Sequence, residues 1–188
     1  RLKIGPAVLP MTDAEMPTMV DTVEYGTLPF QAYFVRYRWQ PVVTAIRFKG
    51  AEQASVSPEA ASALEQADAI LIAPSNPWLS VAPILSVPGL RTIIESGARP
   101  CVAVTPIVGG RALKGPAAKL MAELGYEVTA AAVARYYGAL INGFVMDERD
   151  NEGKLPGLRL LRTDTIMTND HDRARVAAQV LAWMEKFL

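Results

Sequence analysis

The chain has 188 residues, the size of one large domain, and its 19 basic and 19 acidic side chains give a formal net charge of zero. Gripping a phosphate backbone needs a basic excess, so the balance argues against a nucleic-acid partner. Hydrophobic residues make up 51% of the chain, too many for disorder, and no apolar run reaches the roughly 18 residues of a membrane span; no membrane partner and a cytoplasmic location are expected. The lone cysteine, Cys101, excludes an internal disulfide framework, and the lone histidine, His171, argues against a His-rich metal site. Arg1-Leu2-Lys3-Ile4 has no initiator Met and no signal-peptide regions, so the start reads as a cut inside a larger protein.

In chain order, Leu28 to Arg38 places Phe30, Tyr33, Phe34 and Tyr37 at helical spacing after Pro29. The stripe reads as core rather than a ligand platform, with Arg36 and Arg38 facing either a phosphate or solvent. Val42 to Phe48 alternates as a half-buried strand. Pro58 to Ala67 reads as a helix with Ser57 as N-cap and Pro58 in the first position. Ala69–Ala73 and Cys101–Val104 are short continuous apolar runs, the mark of strands buried on both faces, with Gly143–Met146 and Leu158–Leu161 as two more. Helices are expected over 88–95, 116–124 and from Asn169 onward, where Ala177, Val180, Leu181, Met184 and Leu188 recur at helical spacing. Strands alternating with helices predict an α/β, Rossmann-like three-layer fold with a mainly parallel sheet. The expected division is a helical segment and connector over 1–41 and a nucleotide-binding portion over 42–188.

Ligands of open parallel sheets sit beyond the carboxyl ends of the strands. There the sequence places Ser75-Asn76-Pro77 and Ser80, Gly109-Gly110 followed by Lys114, Asp147-Glu148-Arg149-Asp150, and Thr163-Asp164-Thr165. Glycines with a lysine at a helix mouth suit an anion, or make a plain turn. The order is not a Walker loop, because Lys114 precedes Gly115 and no Ser or Thr follows. Asp147, Glu148 and Asp164 are candidates for Mg²⁺, or loop carboxylates in water. His171 reads as surface or capping, and Cys101 as inert core.

Several of these segments together resemble the 2-phospho-L-lactate transferase family of coenzyme F420 biosynthesis. They are Ala67 to Pro77, Pro83 to Gly89, Thr105 to Lys119, Ala134 to Gly138, Gly143 to Asp147, Thr163 to Met167, Leu9 to Asp13 and Phe30 to Arg36. The resemblance implies transfer of a phospholactyl or phosphoenolpyruvyl group from a guanosine diphosphate adduct to a hydroxyl of the deazaflavin Fo. GMP leaves, Mg²⁺ is required, and a homodimer is expected. It further implies that Ser75, Asn76 and Pro77 help hold the guanosine diphosphate, with Ser80 and Arg36 also against substrate. Gly109, Gly110 and Lys114 would lie beside the phosphates or acceptor, and Thr163, Asp164 and Thr165 would close the same edge.

The family's opening strand, Gly-Gly-x-Gly-Gly loop and Gly-Asp-Asp segment have no counterpart here, so a fragment of this kind is expected not to turn over alone. A related family of nucleotide-sugar-binding regulators shares the Val87-Pro88-Gly89 segment. It typically carries Gly-Pro-Gly-Ser where this chain has Pro74-Ser75-Asn76-Pro77, which favours the transferase. A ligand-free interaction domain is the third reading.

Overall fold

Short, wholly apolar strands leave a chain one way to bury both of their faces, which is to stack helices above and below a parallel sheet. The computed structural model describes residues 5–187 apart from Ala98, Lys114 and Glu152. Its first elements are β1 (Thr18–Thr22), β2 (Gly26–Pro29), one wide helical turn over Ala32–Arg36, and β3 (Val43–Phe48). There follow α1 (Pro58–Gln66), β4 (Ile70–Ile72), a second wide turn over Pro77–Val81, α2 (Ala82–Leu85), α3 (Leu90–Ser96) and β5 (Cys101–Val104). The rest comprises β6 (Ile107–Val108), β7 (Arg111–Ala112), α4 (Ala117–Glu123), α5 (Ala130–Tyr137), β8 (Gly143–Asp147), β9 (Arg159–Thr163) and α6 (Asp170–Met184).

Among the described residues the central sheet runs β4-β5-β8-β9 with every pairing parallel. Side chains alternate across it. Cys101 and Ala103 of β5, with Phe144 and Met146 of β8, enter one apolar cluster together with Leu90 and Ile94 of α3 and most of α5. Val102, Val104 and Val145 enter the other, against Val176, Val180 and Met184 of α6. Those two clusters are the boundaries of a three-layer α/β/α sandwich, as the strand pattern predicts.

The helices start where the capping chemistry says they should. The Ser57 hydroxyl accepts from the Ala60 amide at 3.3 Å and donates to the Pro10 carbonyl at 2.6 Å, which also ties down the leading segment. Thr129 caps α5 and Asn169 caps α6 in the same way. α5 is absent from the expected elements: it spans only Ala130–Tyr137, too short a stretch to display a repeating helical period.

The first 41 residues differ from expectation. The segment expected to be helical supplies β1 and β2, with helix confined to Ala32–Arg36. Val42 to Phe48 does form a strand, but it pairs antiparallel with β1 in a small sheet of order β2-β1-β3, across the expected boundary at residue 41. The aromatic stripe is core on one side only. Tyr33 is fully buried with Val20, Val43 and Leu120 of α4, whereas Tyr25, Val35 and Trp39 stay exposed. The Lys119 ammonium, bound to the Pro41 carbonyl and to Glu123, and Glu123, which accepts from the Val43 amide, pin this small sheet to α4.

The carboxyl ends of β8 and β9 are locked by Asp147, whose side chain has no exposure. One oxygen accepts from the Arg149 amide at 2.9 Å and its guanidinium at 2.8 Å. The other accepts from the Thr165 amide at 2.7 Å and hydroxyl at 2.9 Å. Burial alone would push this carboxyl up, but the two amides, then the guanidinium and hydroxyl, outweigh it and hold it below the ordinary carboxylate range.

Two predictions follow from this packing. A carboxyl depressed in the folded state contributes stability that is complete above its unfolded value, about 3.9, and is lost as pH falls through the folded value. Asp147→Asn is therefore expected to lower stability by about 3 kcal/mol at neutral pH, and to flatten the loss of stability on acidification, both read from denaturant titrations between pH 7 and pH 3. Cys101 is 3% exposed, and burial pushes its thiol up to about 11. At pH 8 the native protein is expected to leave it unmodified by a thiol-specific disulfide reagent, with one equivalent reacting once denaturant is added.

Candidate functional site at the carboxyl edge of the sheet

All four strands of the parallel sheet point the same way, so their carboxyl ends and the segments that follow gather on one edge. After β4 the backbone turns sharply through Pro74-Ser75-Asn76-Pro77. The Asn76 side-chain oxygen accepts from the Trp78 amide at 3.0 Å and the Leu79 amide at 3.1 Å, which caps the wide turn over Pro77–Val81. With the oxygen committed to the turn, the amide nitrogen of Asn76 is buried with no hydrogen-bond partner. The indole nitrogen of Trp78, two residues on, is in the same condition, although Trp78 is only 6% exposed. Two buried donors without acceptors on one turn are costly for the folded chain.

Trp78 stacks obliquely on Tyr126 and Tyr136, with ring centres 4.9 and 5.0 Å away. Tyr136 titrates above its ordinary range, chiefly from burial and secondarily from Tyr126. A side chain at Gly110 would lie 3.6 Å from the Val128 carbonyl, an ordinary contact. Gly109 and Gly110 have φ of +56° and +72° and form the two-residue turn of the β6–β7 hairpin, the conformation that favours glycine at both positions. They stand on a hairpin seven residues before α4 begins, rather than at a helix mouth. The Gly109 amide already donates to the carboxylate of buried Asp150 at 2.7 Å. Lys114, the cation expected beside them, lies outside the described residues.

At β9 the expected trio is present but differently employed. Thr165 holds Asp147, and the Thr163 hydroxyl donates to Gln179 of α6 at 2.7 Å. Asp164 accepts from the Arg149 guanidinium at 2.8 Å and lies 3.6 Å from the Arg175 guanidinium. Arg149 and then the Ile166 amide hold the Asp164 carboxyl below its usual range. The Arg175 side chain also donates to the carbonyls of Asp164 and Ile166. The sequence reading passed over both arginines; Arg149, lodged among three acidic neighbours, carried the only available signal.

Mg²⁺ finds no ready nest among these carboxylates. Both oxygens of Asp147 are committed, Asp164 is ion-paired, and the described residues include no group of three or more acidic, cysteine or histidine side chains placed to hold a metal. Arg36 lies elsewhere. It is exposed, its guanidinium sits 5.4 Å from the centre of the Tyr37 ring, and it lines a cavity of about 430 Å³ with Tyr25, Tyr37 and Arg38. Ser75 and Ser80 line a larger cavity of about 620 Å³ beside β4. The structure thus gathers the segments after β4, β5, β8 and β9 at one edge and leaves Arg36 apart. His171 is exposed in the first turn of α6. No single helix among the described residues is long and apolar enough to cross a membrane.

Comparison with known proteins agrees with this geometry. Two crystal structures of a Bacillus halodurans protein, one described as a member of the UPF0052 family, share the fold. Their TM-scores are 0.63 and 0.53 at 14% and 12% identity, over 92% and 89% of this chain and 61% and 60% of theirs. A 2-phospho-L-lactate transferase of Methanopyrus kandleri is 40% identical over 100% of this chain and 61% of its own length. One from Methanosarcina mazei is 38% identical over 93% and 58%. A phosphoenolpyruvate transferase of Streptomyces griseus is 38% identical over 99% and 61%. The chain therefore spans about three-fifths of the curated relatives it matches. The family model for 2-phospho-L-lactate transferase CofD matches residues 1–186; with both ends of the fold inside that match, the chain belongs to the 2-phospho-L-lactate transferase CofD family.

Proposed function

We propose that this chain forms the nucleotide-facing part of a transferase that moves a phospholactyl or phosphoenolpyruvyl group from a guanosine diphosphate adduct to a hydroxyl of the deazaflavin Fo, releasing GMP. The likeness, along the whole of this chain and about three-fifths of theirs, to enzymes named for the phospholactate and phosphoenolpyruvate groups carries the reading. In the transfer, the acceptor oxygen bonds to the phosphorus of the moving group as the bond from that phosphorus to the GMP oxygen breaks. The acceptor proton leaves to solvent. Little is asked of the protein beyond holding the hydroxyl in line and compensating the diphosphate charge.

The turn after β4 suits the holding of the nucleotide donor. Its two unpartnered donors, Asn76 Nδ2 and Trp78 Nε1, are of the type that a phosphate oxygen or a ring carbonyl satisfies. The glycine hairpin brings backbone close to the same edge. Mg²⁺ enters this reading from the family resemblance alone, and no step is assigned to it because the described carboxylates do not fit it. A cytoplasmic homodimer is proposed on the same footing.

Asn76→Asp separates the two roles of its side chain, because it keeps an oxygen to cap the turn and removes the free amide. Calorimetric titration of the full-length protein with GDP is expected to show binding that this substitution weakens about tenfold or more, equivalent to about 1.4 kcal/mol, with a melting temperature close to wild type. Saturable binding of uridine diphosphate sugars with no response to guanosine nucleotides would overturn the reading in favour of a nucleotide-sugar-binding regulator.

A further inference from the structure

Most of the exposed arginines are already engaged by carboxylates: Arg47, Arg91, Arg135, Arg149 and Arg173 each pair with an acidic side chain. Arg36 and Arg38 are exposed, form no ion pair among the described residues, and line the same cavity of about 430 Å³. The acidic side chain in its wall, Glu24, is turned to the Val42 amide, which donates to its two oxygens at 2.9 and 3.3 Å. Two guanidinium groups against one carboxylate leave the cavity positive.

A helix does not bring positions 36 and 38 together. Residues two apart point about 200° from each other around a helix axis, so continuing the wide turn over Ala32–Arg36 would send the two guanidinium groups to opposite sides. The chain instead reverses through Arg38 and Trp39, with φ of +49° and +50°, the two non-glycine residues in left-handed backbone among the described residues. That conformation costs free energy wherever a side chain is present, and it persists only where the surroundings impose it. Here the Trp39 amide donates to the carbonyl of buried Tyr33 and the Gln40 amide to the Tyr37 carbonyl, each at 3.0 Å, while Lys119 of α4 holds the Pro41 carbonyl at 2.7 Å. Arg36 is steadied in turn by the Tyr37 ring, which stacks on Tyr25 with ring centres 4.3 Å apart. The strain thus sets two unpaired cations on one cavity wall.

We propose that this cavity on the small sheet binds a phosphate group, free or carried on a small molecule, between Arg36 and Arg38. A guanidinium fork takes two oxygens at once, so a tetrahedral phosphate serves two forks whereas a lone carboxylate fills one. The volume is that of a small-ligand site, ~300–1,000 Å³. Tyr25, backed by Tyr37 and 53% exposed, offers an open ring to any flat group the phosphate carries. The cavity is separate from the turn after β4, and the proposal does not rest on the transferase reading.

The test follows the Arg36 and Arg38 side-chain N–H resonances of the full-length protein during titration with inorganic phosphate, at about 0.1 M ionic strength so that long-range attraction is screened. Both are expected to shift and saturate with a Kd below about 5 mM, and Arg38→Gln is expected to weaken that binding about tenfold or more. Arg173→Gln, which removes the same charge from α6, is expected to leave it unchanged. Arg38→Gly relieves the left-handed strain, so it is expected to lose the phosphate response with a melting temperature no more than about 2 °C below wild type. Adenosine monophosphate binding more tightly than phosphate would identify a carried phosphate on a ring, and equal binding a free one. The proposal is overturned by resonances that stay still at saturating phosphate, by acetate that moves them as strongly, or by an equal loss in Arg173→Gln. A fall of more than about 5 °C in Arg38→Gly would also overturn it, because Arg38 would then be serving the fold.

Discussion

At the carboxyl edge everything depends on the buried Asp147 carboxylate. β8 and β9 are parallel neighbours joined by residues 148–158, among whose described residues there is no helix, so the usual crossover packing is missing at that junction. Asp147 substitutes for it by gathering amides and side chains from Arg149 and Thr165 onto one charge. Arg149 passes the restraint to Asp164, Arg175 carries it to α6, and Asp150 carries it to the glycine hairpin. A buried charge is tolerable only when its lone pairs are so filled. The same saturation is why Asp147 cannot also serve as a metal ligand.

The sequence made the sheet legible because its strands are buried on both faces and announce themselves as apolar runs. Cys101–Val104 coincides with β5, and the other runs fall within two residues of β4, β8 and β9. Ser57 and Asn169 marked helix starts because capping is local chemistry. The N-terminal stretch was misleading for a tertiary reason: Phe30, Tyr33, Phe34 and Tyr37 do recur at helical spacing, yet β1 and β3 claim the flanking residues for a ladder that connects positions about 25 apart. Pairing partners at that separation leave no local trace. The α5 helix was missed for a local reason, since its eight residues are fewer than the window over which a helical period shows.

The site was less legible than the fold. The segments expected at the strand ends do lie there, because the carboxyl edge of a parallel sheet is fixed once the strands are. What each residue does there depends on which partners are already taken. Gly109 and Gly110 read as an anion cradle in preference to a plain turn, and in the structure they are a hairpin turn whose first amide is engaged by Asp150. Thr165 and Asp164 looked like ligand groups and spend their hydrogen bonds on internal order. Asn76 is the converse case, because capping uses its oxygen and thereby leaves its nitrogen without a partner.

These assignments divide the edge into two halves of different character. Around β8 and β9, Asp147, Arg149, Asp164, Thr165 and Arg175 are bonded to one another, and the two arginines there are already paired with aspartates. Around β4 the donors of Asn76 and Trp78 are unsatisfied, the strand edge is open, and Ser75 and Ser80 face a groove lined with exposed leucine and isoleucine. A folded chain tolerates unfilled donors and uncovered apolar surface together only where something else completes them. The finished half is a rigid frame, held by Asp147, and the unfinished half is where binding has free energy still to gain. For the proposed transfer, which asks that two substrates be held in line, rigidity on one side and unspent hydrogen bonds on the other are the two properties a site requires.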